Sequence, residues 1–468
     1  MPCTTILVGK KATADGSTII SRNEDFMTAF NPKQFRVVTP DKQPREYQAT
    51  NSKFHIKLPA DPLRYTEVCD ASLKADWLSG ESGIWGEAGI NAANVAMSAT
   101  ETSTTNARVL GIDPLVKDGL GEEDLLTIVL PYVHTAREAV QRTADLLAKY
   151  GTYESNGMAF SDQDEVWYFE SIGGHHFAAK KVPDDCYVAA PNWFAITDFD
   201  FHSNDTMCSD DLQHLVAKFN LNTDRDGVVN LQHIFGTHTD SDYAYNIPRQ
   251  WYIHKLFNPA DNPQPNQLDL PFAEVPEHKL TIEDIKYALS SHYQHTPYDV
   301  YGHGTEEQKH TYRPIGIQRN QEVHILQLRN NVPEKLAAIQ WLAFGPNAYN
   351  GIAPFYANVS DTPAPYRDTT TKFDLRYMYW LTHTLATIGD EHNFRYNAEL
   401  EDLFRDTPAA GRNVLMKTDA AAAKLEGEAL DQKLQAANKE IAKDAHDLAM
   451  KCLGGMVTKG ALKIKLNF

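Results

Sequence analysis

The chain has 468 residues, 42% hydrophobic and 23% charged, so it can bury a sizeable core and is not dominated by disorder. Lys and Arg number 44 against 62 Asp and Glu, a formal charge of −18. That balance argues against a nucleic-acid binder, whose phosphate contacts need a basic face, and against docking on an anionic membrane.

In chain order, residues 4–8 are β-branched and apolar, residues 10–16 carry turn chemistry ending in Asp15-Gly16, and residues 17–21 are β-rich again. This predicts a hairpin buried on both faces. A loop of about four residues around 11–14 would set Cys3 opposite Arg22, with register the sensitive step. Strands are expected at 95–98 after the Gly-rich stretch 80–89, and at 165–170 turning through Gly173-Gly174 into 176–179. Others follow at 187–190, 322–328 and 337–344. Helices are expected at 122–130, 136–150 (ending at Gly151), 282–291 and 373–388. The tail sets Leu430, Leu434, Ala437, Ile441, Ala445 and Leu448 on one face of a helix of about five turns or more. Packing is the favoured reading of that stripe, and an oligomer contact the alternative. The Pro-rich stretch 258–277 reads as a surface loop. Strands far apart in sequence with helices between them predict one layered domain with insertions.

Cys3 is the most informative residue. A cysteine near the chain start, feeding a strand, is most simply a buried structural residue. Arg22, Asn23, Glu24 and Asp25 at the end of the partner strand change that reading. A guanidinium there would stabilise a thiolate, and a carboxylate would orient an ammonium. A free N-terminal cysteine carries nucleophile and base on one residue, because its amine and its thiol both titrate near working pH. That logic belongs to the N-terminal nucleophile hydrolases.

The stretches Cys3 to Gly9, Asp15-Gly16-Ser17-Thr18 and Arg22-Asn23-Glu24-Asp25 resemble the opening of the dipeptidase A (PepD-type) family of cysteine N-terminal nucleophile peptidases. Agreement continues through Gly89-Ile90-Asn91, residues 95–102, Glu165 to Tyr168, Gly174-His175-His176, residues 182–185, Arg313-Pro314-Ile315 and residues 339–342. The resemblance implies an α+β fold, the four-layer αββα sandwich, with helical insertions and a helical C-terminal segment. It implies hydrolysis of dipeptides through a thioester, with no metal and no organic cofactor. Cys3, Arg22 and Asp25 fall on the catalytic pattern of related cysteine amidases. Asn192 resembles the oxyanion-binding Asn, and Arg313 is the candidate for a second Arg. The other oxyanion donor is Glu101 or a backbone amide near it, and Glu101, Glu24 and Asp25 are candidates for holding a substrate ammonium. Residues 1–2 read as a short propeptide. Residues 3–468 read as one catalytic domain, with its core at about 3–360 and a helical part at about 370–468.

Rival chemistries lack their motifs. There is no His-Glu-x-x-His for zinc, no Gly-x-Ser-x-Gly elbow and no phosphate loop ending in Gly-Lys-Ser/Thr. His175 and His176 are adjacent, so on a strand they would diverge. Asp210, Asp211 and His214 form only a weak metal candidate. Gly80 to Gly83 reads as a turn or active-site loop. An amidase for acyl amino acids is the runner-up enzyme, and a non-catalytic interaction protein on a hydrolase scaffold is the alternative of another class. Residues 1–20 show no secretory signal, and the apolar stretch 337–357 is broken by Gln340, Pro346, Asn347, Asn350 and Pro354. Five cysteines, an odd number, suit a reducing compartment. The expectation is a cytoplasmic dipeptidase that engages no nucleic acid and no membrane, with a homo-oligomer left open.

Overall fold

The computed structural model describes residues 3–71 and 85–465, apart from the side chains of residues 100, 101 and 392–394. The predicted loop at Gly80 to Gly83 lies outside the described residues.

Two antiparallel sheets are stacked face to face. The first has six strands in the order Tyr187–Ala190, Thr4–Val8, Thr18–Asp25, Asn320–Leu328, Ala338–Phe344 and Ala353–Tyr356. The second has eight, in the order Thr206–Cys208, His176–Lys181, Val166–Ile172, Ser155–Ser161, Ala96–Ser103, Gly86–Ile90, Tyr65–Asp70 and Lys33–Val38. Alternation along each strand sorts the side chains. Leu7, Ile20, Val188 and Leu326 meet Ala88, Ala159 and Tyr168 between the sheets. Ile6, Val8, Ile19 and Ile325 face outward, onto Trp251, Ile285, Leu385 and Ile441 of helices. On the far side, Met97, Phe160 and Phe169 meet Leu126, Val140 and Leu147. The result is the expected four-layer αββα sandwich. Strands covered on both sides explain why their sequences read as unbroken apolar runs.

Most predicted elements are present, several with identical bounds: Thr4–Val8, Tyr187–Ala190 and the helix Ala136–Tyr150. The second strand differs in a way that matters. It runs from Thr18 to Asp25, so Arg22 to Asp25 lie inside it rather than at its end. Its register with the first strand is Thr4 opposite Asn23 and Thr5 opposite Arg22. Cys3 is therefore not directly across from Arg22. The hairpin loop is longer than expected, and the two side chains meet on the diagonal.

His175 and His176 also depart from expectation. His175 lies in the turn before the strand, so the two rings do not diverge, and both Nδ1 atoms reach Asp113, at 3.1 and 2.7 Å. Asp211, expected beside His214, meets His176 Nε2 at 3.3 Å. The tail helix, Gly427–Ala461, has 35 residues, about ten turns, in keeping with an expected length of five turns or more. Its stripe of Leu434, Ala437, Ile441 and Ala445 is buried in the same outer core as the helices Met378–Gly389 and Asn397–Ala422. No helix among the described residues is long and apolar enough to cross a membrane.

Candidate active site

Cys3 immediately precedes the first strand and is fully buried. Strand alternation puts its side chain on the same side as Leu7, between the sheets. Arg22, two residues from Ile20 on the neighbouring strand, points the same way. Its Nη1 lies 3.3 Å from Cys3 Sγ. Its Nη2 donates to Glu87 Oε2 at 2.6 Å, from the strand Gly86–Ile90 of the facing sheet. A guanidinium is planar, so fixing one nitrogen on Glu87 aims the other at the sulfur. Glu87 Oε1 meets Lys33 Nζ at 3.2 Å, and Lys33 also pairs with Glu24 at 2.7 Å and Asp70 at 2.5 Å. These charges are all but sealed from solvent, so each is stabilised by its partners rather than by water.

The titration behaviour follows. Burial pushes the Cys3 thiol up to about 12; the Arg22 cation pulls it back, and Glu24 and Glu122 push it further up. Burial also opposes ionisation of Glu87, yet Lys33 and Arg22 hold its carboxyl below the ordinary value. Burial drives Glu24 well up, against the pull of Lys33. With residues 1 and 2 in place, Cys3 is therefore a protonated thiol, and a base is needed to make it a nucleophile.

Asp25 lies one residue off this face. It pairs with Arg313 and accepts a hydrogen bond from Asn320 Nδ2. Asn23 Nδ2 bonds the same carboxylate at 3.4 Å. Burial pushes the Arg313 guanidinium down to about 9, Arg319 adds to that push and Cys3 opposes it, so Arg313 lies within electrostatic reach of the thiol.

Asn192 follows the strand Tyr187–Ala190, which pairs with the Cys3 strand, and it is buried. Its segment is held from the facing sheet by Glu170 Oε1, which accepts from the backbone N–H groups of Ala195 and Ile196 at 2.5 and 3.4 Å. Arg249 Nη2 donates to Asn192 Oδ1 at 2.9 Å, which fixes the donor end of that amide as Nδ2.

Arg249 is the residue the sequence reading missed. It is fully buried in the helix Ile247–Phe257. Its Nη1 donates to Cys3 O at 2.5 Å and to Thr4 Oγ1 at 2.9 Å, and its Nη2 also bonds Asn246 Oδ1 at 2.7 Å. It thus ties the backbone of Cys3 to Asn192. Arg249 meets the backbone of Cys3 and the amide of Asn192, whereas Arg313 meets Asp25. The only sequence signal was an arginine among Ile247, Trp251, Tyr252 and Ile253, a run that otherwise reads as core.

Two substrate-binding expectations fare differently. Glu24 is fully buried, its carboxylate paired with Lys33 at 2.7 Å. Glu101 lies in the strand Ala96–Ser103, whose pairing shifts between Ala99 and Glu101, but its side chain lies outside the described residues. Among the described residues, no group of three or more His, Cys, Asp or Glu is placed to hold a metal ion.

The family model of peptidase family C69 matches residues 2–406. "Dipeptidase A" of Lactobacillus helveticus is 49% identical over 98% of this chain and 96% of its own length. "Probable dipeptidase B" of Lactococcus lactis is 48% identical over 100% of this chain and 97% of its own. "Dipeptidase" of Bifidobacterium longum is 47% identical over 94% and 87%. A solved variant of conjugated bile acid hydrolase from Clostridium perfringens covers 76% of this chain and 92% of its own, at 13% identity and a TM-score of 0.32, and no argument rests on it.

Proposed function

The chain belongs to peptidase family C69 and is a peptidase; from that premise we propose that it is a cysteine dipeptidase with Cys3 as an N-terminal nucleophile. The observation that carries the reading is the buried Cys3 sulfur held 3.3 Å from Arg22, with Arg249 joining the same residue to Asn192. Relatives named as dipeptidases at 47–49% identity support the substrate class.

In this reading residues 1 and 2 are removed first. The Cys3 thiol attacks the Pro2 carbonyl carbon as its proton passes to the Cys3 nitrogen, the C–N bond breaks, the acyl group is left on sulfur, and the Cys3 amine is freed. Water then cleaves the thioester and releases the N-terminal piece. The amine, with an ordinary pKa of about 7.7–8.0, takes over as base. It removes the thiol proton as sulfur attacks the scissile carbonyl of a dipeptide. Arg22 stabilises the thiolate. Asn192 donates to the oxyanion, and the C-terminal amino acid leaves carrying the proton from the amine. Water resolves the thioester by the same route in reverse. Asp25, held by Arg313, Asn320 and Asn23, orients the freed amine. Glu101 is retained as the carboxylate for the substrate ammonium. The free thiol this chemistry needs suits a cytoplasmic setting, and all five cysteines are unpaired.

A panel of dipeptides and their N-acetylated forms, assayed with chelator present, tests the reading. Turnover of free dipeptides that survives chelation and disappears in Cys3→Ala is expected. Activity lost to chelator and restored by zinc would sink the thiol mechanism.

A further inference from the structure

The corner between the helices Asp240–Tyr245 and Ile247–Phe257 is locked by a run of polar side chains. Thr239 and Asp242 close a capping box at the start of the first helix, with Thr239 N–H and Oγ1 donating to Asp242 Oδ2 at 2.8 and 2.9 Å. Asn246 ends that helix and begins the next. Its Nδ2 donates to Asp242 Oδ1 at 2.7 Å, and its Oδ1 accepts from Arg249 Nη2 at 2.7 Å. Tyr245 is thereby fixed one turn before Arg249, the spacing at which two side chains on a helical path meet.

The Tyr245 ring carries two guanidinium groups. Arg249 Cζ lies 5.1 Å from the ring centroid and Arg313 Cζ 5.0 Å, each over the ring. Backbone contacts repeat both pairings. Tyr245 O accepts from Arg249 Nε at 2.8 Å, and Ala244 O accepts from Arg313 N–H at 3.0 Å. Both arginines reach into the candidate site. Arg249 bonds Cys3 O and Asn192 Oδ1, and Arg313 pairs with Asp25. One half-buried ring therefore braces the supports of two groups: the oxyanion amide, and the carboxylate that the proposed mechanism sets on the freed amine. The negative face of a π system attracts each cation, and partial burial strengthens that attraction. The Tyr245 hydroxyl makes no hydrogen bond among the described residues, so the ring alone makes these contacts.

We propose that Tyr245 is a positioning residue for the Cys3 reaction: its ring face holds the Arg249 and Arg313 guanidinium groups in place, and through them Asn192 and Asp25. The proposal rests on the dipeptidase reading. Asn192 and Asp25 serve groups whose charge changes as the bond breaks, so loss of the ring face should lower kcat and leave KM nearly as it was. A residue that only fills space would be replaced without loss by any side chain of the same shape.

The test keeps the shape of the side chain at position 245 and drains the negative charge from its ring face. Phenylalanine and its 4-fluoro, 3,5-difluoro and pentafluoro analogues are placed there in the full-length protein by amber suppression, and kcat and KM are measured on a dipeptide. From Tyr245→Phe to the pentafluoro analogue kcat should fall stepwise, by about tenfold overall, with KM within about twofold. Tyr245→Leu should lose as much, and Tyr245→Phe should recover most of it. Should Tyr245→Leu fail to fold, the fluorinated series decides alone, because it leaves the packing intact. Dipeptide turnover by the unaltered protein, absent in Cys3→Ala, shows whether the underlying reading holds. With that turnover present, a kcat that stays flat across the series, or a change confined to KM, would overturn the proposal alone. So would loss of activity in Tyr245→Phe, since the hydroxyl would then be the working group. No dipeptide turnover by the unaltered protein would sink the reading and the proposal together.

Discussion

Cys3 depends on two arginines that do different work, and substitution separates them. Cys3→Ala should abolish turnover and leave the fold intact by circular dichroism. Changing Cys69, Cys186, Cys208 or Cys452 should preserve most of it. Arg22→Lys keeps the charge but cannot span Glu87 and the sulfur as a planar fork does, so kcat should fall well beyond what a like-charge swap suggests. Asn192→Ala should lower kcat about 10²–10³-fold with little change in KM, because its contact strengthens as the oxyanion forms. An unchanged kcat would remove Asn192 from the site. Cys3, Arg22 and Asp25 were legible in the sequence because they lie within 23 consecutive positions and carry a recognisable pattern. Arg249 and Glu87 were not. They arrive from 246 residues down the chain and from the facing sheet, and only the stacking of the layers brings them to the thiol.

Elements with strong local signals were read nearly to the residue, and those set by tertiary contacts were not. The helix Ala136–Tyr150 shows both stop signals: its apolar spacing ends at Gly151, which sits at φ +67. A Cβ there would also come within 2.4 Å of Val116. Gly151→Ala should therefore destabilise by more than about 1 kcal/mol, measured by urea unfolding. The strands Lys33–Val38 and Tyr65–Asp70 escaped notice because Lys33, Arg36, Glu67 and Asp70 mask their apolar alternation, and those charges are paired inside the fold. The His175–His176 turn gives a pH test. Burial opposes the charge of Asp113, but hydrogen bonds from both histidines hold its carboxyl down to about 2, from an ordinary 3.8. Its hydrogen bond and charge raise His176 above 6.5, against burial. The Asp113 contribution is present above pH 3.8 and is lost as pH falls through about 2. The His176 contribution is complete below pH 6.5 and is lost as pH rises through its raised value. The Tm difference between the unaltered protein and Asp113→Asn should thus be largest near pH 5 and shrink on both sides. These groups are partly exposed, so it should correspond to about 1 kcal/mol.

Across the whole molecule, the C-terminal helices close the sandwich. Ala353–Tyr356 is an edge strand, and edges left open invite pairing with other chains. Asn438 of the tail helix covers it: its Oδ1 accepts from Tyr356 N–H at 2.9 Å and its Nδ2 donates to Tyr356 O at 3.0 Å. Asn438→Leu should cost about 2 kcal/mol, seen as a lower urea midpoint, because both backbone groups lose their partner. The tail's apolar stripe was legible in the sequence, but its ten-turn length and its docking site were not, since neither is encoded within the stripe itself. The same architecture sets Cys3 just before an interior strand of the six-stranded sheet, where, in the proposed mechanism, freeing its amine would supply the missing base. Intact-mass and peptide-mapping analysis of fully active enzyme tests this most directly. Active protein should begin at Cys3, with Cys3→Ala retaining Pro2. Full activity in protein that still carries Pro2 would contradict it, because the α-amine could then not be the base.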